Sequence, residues 1–185
     1  KEVSLGYDGR ISLENLKNCI NNDLANNFGN LCQRVFSFIE KNCNSKIPAP
    51  DKLDERDKQL ISNLIDKLPS LKIMMDNQEL NQYINEIINF SFDSNKYFND
   101  LEPWKLKKTN PARMNTVLYC ILNQIKSIGV LLYPIIPQSI EKIFETLSLK
   151  KEDILLKNIE NNKIPKPGNT INMGKILFKK IENDS

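Results

Sequence analysis

Two asparagines, one arginine and the single tryptophan are the residues of this chain best suited to binding chemistry. Asn26, Asn30 and Arg34 are spaced four residues apart, so a helix places them along one face. Trp104 follows a proline in the segment Glu102–Leu106. Carboxamides, a guanidinium and an indole donate hydrogen bonds and stack. They suit contact with an unpaired nucleotide base better than the making or breaking of a bond.

The same residues also have structural explanations. In a chain rich in asparagine, the face that carries Asn26, Asn30 and Arg34 can simply be solvated. A tryptophan after a proline is often a core residue, and Gly29 permits either close packing of another helix or close approach of a nucleotide. The sequence alone leaves both interpretations open.

Four basic side chains follow Trp104 and are candidate phosphate contacts: Lys105, Lys107, Lys108 and Arg113. Cations of this kind hold backbone phosphates beside a stacked base, although a solvated lysine run is an equally common pattern. The net charge of +3 permits a polyanionic partner without requiring one.

The composition excludes several classes of function. The 185 residues include no histidine, which excludes His-based acid–base catalysis, His metal ligands and Ser-His-Asp nucleophiles. Cys19, Cys32, Cys43 and Cys120 form no Cys-x-x-Cys pair, so we expect reduced structural thiols in a cytosolic protein, with no metal site. The sequence contains no glycine-rich phosphate loop. We expect no catalytic residue and no cofactor in this segment.

Apolar residues recur at helical spacing along most of the chain. Hydrophobic residues make up 40% and charged residues 26% of the sequence, as in ordinary soluble domains. The pattern predicts helices that begin near Ser12, Leu24, Leu53, Gln78, Asn110 and Pro137. We therefore expect an all-α fold, a bundle of about five helices with an irregular C-terminal tail.

Polar residues and prolines mark the expected boundaries. Asn21–Asp23 is expected to break or re-cap the first helix, and Pro69 to kink or interrupt the third. The segment Asp100–Lys108 is expected to turn the chain, and Asn110-Pro111 to begin the next helix. The apolar run Thr116–Ile136 contains central polar residues, which favours a core helix over a membrane span.

The composition divides the chain into three parts. Residues 1–10 are short, polar and turn-rich, and they are predicted to be a linker from an upstream segment. Residues 11–150 form the predicted α-helical domain. Residues 151–185 are polar and lysine-rich, with apolar residues near Ile176–Phe178, and are predicted to be a tail that packs back on the bundle.

Several strings together resemble one family. Asn22–Arg34, which reads Asn-Asp-Leu-Ala-Asn-Asn-Phe-Gly-Asn-Leu-x-x-Arg, resembles the anticodon-domain motif of methionyl-tRNA synthetases. Asn95–Phe98 followed by Glu102–Leu106 resembles a second motif of that domain. Glu2–Gly9 is similar to the segment that joins the family's catalytic region to its helical domain, and Leu177–Glu182 to its closing segment.

The resemblance implies a class I aminoacyl-tRNA synthetase whose C-terminal helical bundle, the anticodon-binding domain, recognises the CAU anticodon. It implies that Asn30 and Arg34 hydrogen-bond anticodon bases, particularly the first, and that Asn26 supports them. It implies that Trp104 stacks on an anticodon base. The chain departs from many members at Lys179-Lys180, where they have Pro-Arg, and this concerns only how the tail docks.

The resemblance also implies a partner and a parent activity. The partner is tRNA(Met), both initiator and elongator, in the cytoplasm and without a membrane. ATP and Mg²⁺ serve methionine–tRNA ligation in the parent enzyme's catalytic region. That region's signatures, one with two histidines and one Lys-Met-Ser-Lys-Ser loop, do not occur in this sequence, so we expect this segment alone to be inactive.

Two other functions stay open at this point. The chain can be the anticodon-binding domain of another class I synthetase, such as the leucyl, valyl or cysteinyl enzyme. It can also be a helical protein–protein interaction module with no RNA role. Binding to an anticodon stem-loop separates the first function from the second.

Overall fold

The computed structural model describes residues 12–150, 152–160 and 165–172. In chain order it contains seven α-helices, one π-helical segment and a 3₁₀ turn: α1 Leu13–Cys19, the π segment Ile20–Gly29, α2 Asn30–Asn42, α3 Glu55–Asp76, α4 Leu80–Leu101, α5 Pro103–Thr109, α6 Pro111–Leu132, α7 Pro137–Thr146 and the turn Leu156–Asn158. The only extended pairing among the described residues is a single antiparallel bridge between Lys46 and Thr170. The prediction of an all-α fold is confirmed.

Helix α1, the π segment and α2 form one continuous helical rod. The backbone is right-handed helical at both junctions, with φ/ψ of −63°/−45° at Ile20 and −64°/−41° at Asn30. Ser12 caps the rod as predicted, because its Oγ accepts a hydrogen bond from the Asn15 amide at 3.0 Å. The predicted break or re-capping at Asn21–Asp23 is wrong, since the chain there widens to π geometry and continues. If the rod is counted as one helix, it makes five with α3, α4, α6 and α7, the number predicted for the bundle. Helix α5 is a short additional helix.

Helix α6 is the centre of the core. Its length and apolar composition would suffice for a membrane span, yet 94% of its most apolar window is buried inside the bundle. The polar residues that interrupt the run are buried too: Gln124 Nε2 donates to the Leu60 carbonyl at 3.1 Å. Lys126 Nζ donates to the carbonyls of Asn158 and Ile159 at 3.1 and 3.2 Å. The predicted core helix is therefore confirmed.

Proline and asparagine set the other helix boundaries in different ways. Asn110 Oδ1 accepts from the Arg113 amide at 3.0 Å with Pro111 at the first helical position, as predicted. Pro69 lies inside α3 without interrupting it. The chain turns at Glu102, which has a left-handed φ of 44°, and Trp104 then lies in helix α5 rather than in an irregular turn.

The described parts of the C-terminal segment contact the loop that follows α2. The Ile47 amide donates to Asn169 at 2.9 Å, and the Gly168 and Ile171 amides donate to Ile47 and Ser45, both at 2.8 Å. Ile159 and Ile171 belong to the main core cluster. The predicted linker 1–10 and the apolar residues Ile176–Phe178 lie outside the described residues, and the three-part division stays a prediction.

The four cysteines are free thiols. Cys32 and Cys120 are buried in the core, and this burial raises the pKa of the Cys120 thiol to about 12. Thiols with so little thiolate are poor nucleophiles, in agreement with the predicted structural role.

A buried carboxylate connects three helices at one end of the bundle. Asp57, near the start of α3, is fully buried and accepts two hydrogen bonds from the Arg113 guanidinium of α6, at 2.5 and 2.8 Å. The hydroxyl of Tyr97, on α4, also donates to it. Burial alone would raise the pKa of Asp57, but hydrogen bonds from Arg113, Tyr97 and the Asp54 amide outweigh it and hold that pKa below its ordinary value.

Asp57→Asn is expected to destabilise the fold by about 3–5 kcal/mol at pH 7, because it leaves the Arg113 cation in a largely buried site without its main partner. The folded-state pKa of Asp57 is lowered from its ordinary value of 3.8. The ionised carboxylate therefore stabilises the fold fully at pH values above 3.8, and this stabilisation is lost as the pH falls through the folded-state pKa. Urea unfolding followed by circular dichroism measures the difference. Asp66→Asn, an exposed position on the same helix, is the control, and an equal loss for both variants would contradict the prediction.

Asn27→Ala is expected to cost about 1–3 kcal/mol of unfolding free energy, the usual penalty for leaving buried polar partners unsatisfied. The buried Asn27 carboxamide accepts from Ser91 Oγ at 3.1 Å and from Asn95 Nδ2 at 2.9 Å. The exposed neighbour gives the matched control, since Asn26→Ala should change stability by less than about 0.5 kcal/mol. Thermal or urea unfolding of both variants measures the two losses of stability, and equal losses would contradict the prediction.

Candidate nucleic-acid interface

Arg34 is held in a fixed orientation by the C-terminal end of α4. One guanidinium nitrogen, Nη2, donates to Asn99 Oδ1 at 2.8 Å. The guanidinium carbon lies 5.0 Å from the centroid of the Phe98 ring, within the range of a cation–π contact. Because Phe98 supports one face of the group and Asn99 one nitrogen, the other N–H groups of Arg34 are available to hydrogen-bond a planar ligand.

Trp104 also packs against Phe98. The two rings meet edge to face, with centroids 5.9 Å apart and planes at 70°. The residue is 41% exposed. The sequence left a choice between a core residue and an exposed stacking platform, and the structure gives an intermediate arrangement: one part of the indole packs against Phe98, and the rest is open to solvent.

Arg34 and Trp104 line a common cleft between α2 and the corner where α4 meets α5. Its volume is about 240 Å³, and three aromatic and four polar or charged residues line it: Phe38, Phe98, Trp104, Arg34, Ser37, Lys41 and Asn42. An aromatic wall next to fixed hydrogen-bond donors is the arrangement that binds unpaired bases. The cleft therefore offers an aromatic surface for stacking and a hydrogen-bond donor beside it.

Asn26 and Asn30 are exposed on the rod, as the four-residue spacing predicted. Asn30 lies one helical turn before Arg34, and neither asparagine lines the cleft itself. Gly29 is buried, which favours its packing explanation. The carboxamides of Asn26 and Asn30 face solvent and extend the surface beside Arg34 that is open to a nucleic acid.

Asn27 has a different role from its two neighbours, and the sequence reasoning missed it. It is 3% exposed, and its hydrogen bonds with Ser91 and Asn95 join the rod to α4. The helical period could have indicated this, because residue 27 lies three residues after Leu24 and four residues before Leu31, and these spacings place it on the apolar face of the helix. Asn27 thus fixes the distance between the helix that carries Arg34 and the helix that carries Phe98.

The basic residues proposed from the sequence have distinct environments. Lys105 is exposed and ion-paired with Glu102 at 2.8 Å, and Lys107 and Lys108 are exposed. Arg113 differs from the expectation. Its guanidinium is bound to Asp57 and, at 2.8 Å, to Asp54, so the structure favours a stabilising role over a phosphate contact. A lysine that the sequence reasoning missed, Lys41, lies in the wall of the cleft.

The chemistry of the site is that of binding. A guanidinium donates several hydrogen bonds in one plane, and an indole donates one from its ring nitrogen. Burial raises the pKa of Asp57, but its contacts with Arg113 and Tyr97 outweigh this and lower that pKa, so Asp57 stays ionised near neutral pH. The arrangement can therefore orient and stack a planar ligand.

Comparisons with known proteins agree on one family. Residues 47–185 match the family described as the anticodon binding domain of methionyl tRNA ligase. The methionine–tRNA ligase of Brucella suis is 41% identical over 149 residues, which cover 80% of this chain and 29% of the relative. The enzyme of Rickettsia felis is 34% identical over 197 residues, which cover 100% of this chain and 36% of the relative.

A solved structure gives the same result. The apo form of Mycobacterium tuberculosis methionyl-tRNA synthetase aligns with a TM-score of 0.92 and 28% identity, covering 100% of this chain and 38% of that one. The rod with Asn26, Asn30 and Arg34 precedes the region matched to the family but falls within this alignment. The chain spans about a third of the length of the relatives that it matches. With its all-helical fold and its cleft between Arg34 and Trp104, this chain belongs to the anticodon-binding domain family of methionyl-tRNA ligases.

Proposed function

We propose that this chain recognises the CAU anticodon of tRNA(Met), initiator and elongator, for a parent methionine–tRNA ligase of the cytoplasm. The observation that carries the proposal is the cleft in which Arg34 is oriented by Phe98 and Asn99 beside the half-exposed Trp104. A base that stacks on Trp104 can present its edge to Arg34, with Asn30 and Asn26 on the adjoining surface. Such contacts to the base edge distinguish one base from another.

The chain's own contribution is selectivity. In this proposal ATP and Mg²⁺ are bound by the catalytic region of the parent enzyme, where methionine is attached to the tRNA. Lys107 and Lys108 are exposed near Trp104 and can attract RNA phosphates, whereas Lys105 is partly engaged by Glu102. We leave Arg113 out of the RNA-contacting set because Asp57 and Asp54 bind its guanidinium.

The decisive experiment is a titration of the 185-residue chain with labelled anticodon stem-loops. A CAU loop is compared with loops that differ at each anticodon base, at one fixed salt concentration, because phosphate contacts make affinities salt-dependent. Tighter binding of the CAU loop supports the proposal. Equal binding of all loops would indicate non-specific RNA attraction, and a lack of RNA binding would favour a protein–protein interaction module.

Arg34→Lys is expected to lose nearly as much discrimination among the loops as Arg34→Ala, about 1–3 kcal/mol for a lost bidentate contact with a base. Lysine keeps the charge but lacks the planar fork that lies on Phe98 and bonds two acceptors at once. Arg56→Lys is the matched control, since Arg56 is exposed on α3. Near-normal discrimination by Arg34→Lys would show that the position supplies charge alone.

Trp104→Ala is expected to lose about 1–3 kcal/mol of stem-loop affinity, the usual value for one stacked base, whereas Trp104→Phe keeps part of it. Because the indole is 41% exposed, the loss of folding stability should stay below the about 3–5 kcal/mol of a core truncation. Melting temperature and affinity are measured on the same two variants. A large loss of stability with unchanged affinity in the folded fraction would remove Trp104 from the binding site.

A further inference from the structure

A second cavity lies between α3, α6 and the C-terminal segment. It shares no lining residue with the Arg34–Trp104 cleft and, at about 540 Å³, has more than twice the volume of that cleft. Buried residues of α6 form its floor, and the exposed Lys166 and Pro167 lie at its rim. A volume of this size is typical of sites that bind small organic molecules.

Asn123 places an unpartnered hydrogen-bond acceptor at the floor of this cavity. The residue is 4% exposed, and its Nδ2 donates to the Tyr119 carbonyl at 3.0 Å. Its Oδ1 therefore points away from that carbonyl, on the side where Asn123 lines the cavity. Within the described part of the chain, this Oδ1 is the one buried side-chain oxygen or nitrogen that has no hydrogen-bond partner. Buried polar atoms are nearly always paired, so an open acceptor here indicates a donor that comes from outside the chain.

Hydrogen bonds on both sides of the cavity fix its walls. The Asp51 amide donates to Thr116 Oγ1 at 2.9 Å, which joins the connector before α3 to α6. Gln124 Nε2 donates to the Leu60 carbonyl at 3.1 Å, which joins α3 to α6 beside Asn123. The cavity is therefore formed in the free protein, and a ligand that enters it orders few side chains.

The other lining residues define the remainder of the ligand. Pro50, Leu53 and Ile61 supply apolar surface, which favours an apolar body. The Cys120 thiol is buried, and this burial raises its pKa to about 12, so it adds no negative charge at neutral pH. Lys166 is the one charged residue of the lining, and it is exposed at the rim. A charged group on the buried part of a ligand would therefore lack a partner.

We propose that this cavity binds an uncharged apolar ring compound that carries one N–H or O–H group, which donates a hydrogen bond to Asn123 Oδ1. Burial already separates this oxygen from water in the free protein, so a ligand donor gains a hydrogen bond at little further desolvation cost to the protein. The donor gives the site its selectivity, and the apolar lining gives it affinity. The inference does not depend on RNA binding by the opposite set of residues at Arg34 and Trp104.

A pair of matched probes tests the hydrogen bond. Indole has an apolar ring system with one N–H donor, whereas benzofuran has nearly the same shape and no donor. Each is titrated into the 185-residue chain with methyl-labelled isoleucine and leucine, and binding is followed by NMR at the methyl groups of Ile61 and Leu53, which line the cavity. Both probes should shift these signals, and benzofuran should bind about tenfold more weakly, because it leaves the buried acceptor unpaired.

Two variants locate the binding site. Asn123→Leu removes the acceptor at similar volume, and indole should then bind as weakly as benzofuran. Ile61→Trp fills the cavity from the α3 wall and should abolish the binding of both probes. Because Ile61 is only half-buried, this variant tests the cavity even if Asn123→Leu lowers the melting temperature. Ile73→Trp is the matched control, since Ile73 is 58% exposed on the same helix, and it should leave both affinities unchanged.

Three results would overturn the proposal. The first is equal affinity of indole and benzofuran for the wild type, which would show that no ligand donor reaches Asn123 Oδ1. The second is binding without a shift at Ile61 and Leu53, which would place the probes elsewhere on the protein. The third is an equal loss of binding in Ile61→Trp and Ile73→Trp, which would show that the cavity is not the site.

Discussion

The site depends on the hydrogen bonds and the ion pair that a buried carboxylate forms at one end of the bundle. Asp57 is fully buried, and an ionised group at such a position must be paired and hydrogen-bonded. Arg113 from α6 and Tyr97 from α4 supply the partners, so three helices are fixed relative to one another there. Phe98 follows Tyr97 directly in the chain, and this pairing therefore also fixes the ring on which Arg34 and Trp104 rest.

The second constraint acts between the rod and α4. The hydrogen bonds of Asn27 with Ser91 and Asn95 lie in a buried contact, where unmatched polar groups would be costly. They set the position of the rod against α4 one to two turns before Arg34. With both helices fixed, the Arg34 guanidinium is already oriented on Phe98 in the free protein. Ligand binding therefore loses less side-chain entropy at Arg34 than it would with a mobile arginine.

Much of the fold was predictable because helical order is encoded locally. The apolar period, the Ser12 cap and the Asn110-Pro111 start all depend on residues within one or two turns of each other, and each prediction is confirmed. The expected break at Asn21–Asp23 failed because packing of Ala25 and Phe28 against the bundle overrides weak local helix propensity. Pro69 likewise stays inside α3, where tertiary contacts of Leu64 and Leu71 hold the helix on both sides.

The candidate site was only partly predictable from residue types and spacing. By itself the sequence determined that the chain is an all-α bundle and that Asn26, Asn30 and Arg34 share one exposed face of a helix. Only the tertiary structure decided that Arg34 meets Phe98 and Asn99 and shares a cleft with Trp104, that Arg113 serves a buried ion pair, and that Lys41 borders the cleft. The physical reason is that helical periodicity fixes the direction in which a side chain points, whereas the partner that it meets depends on packing between helices distant in the chain.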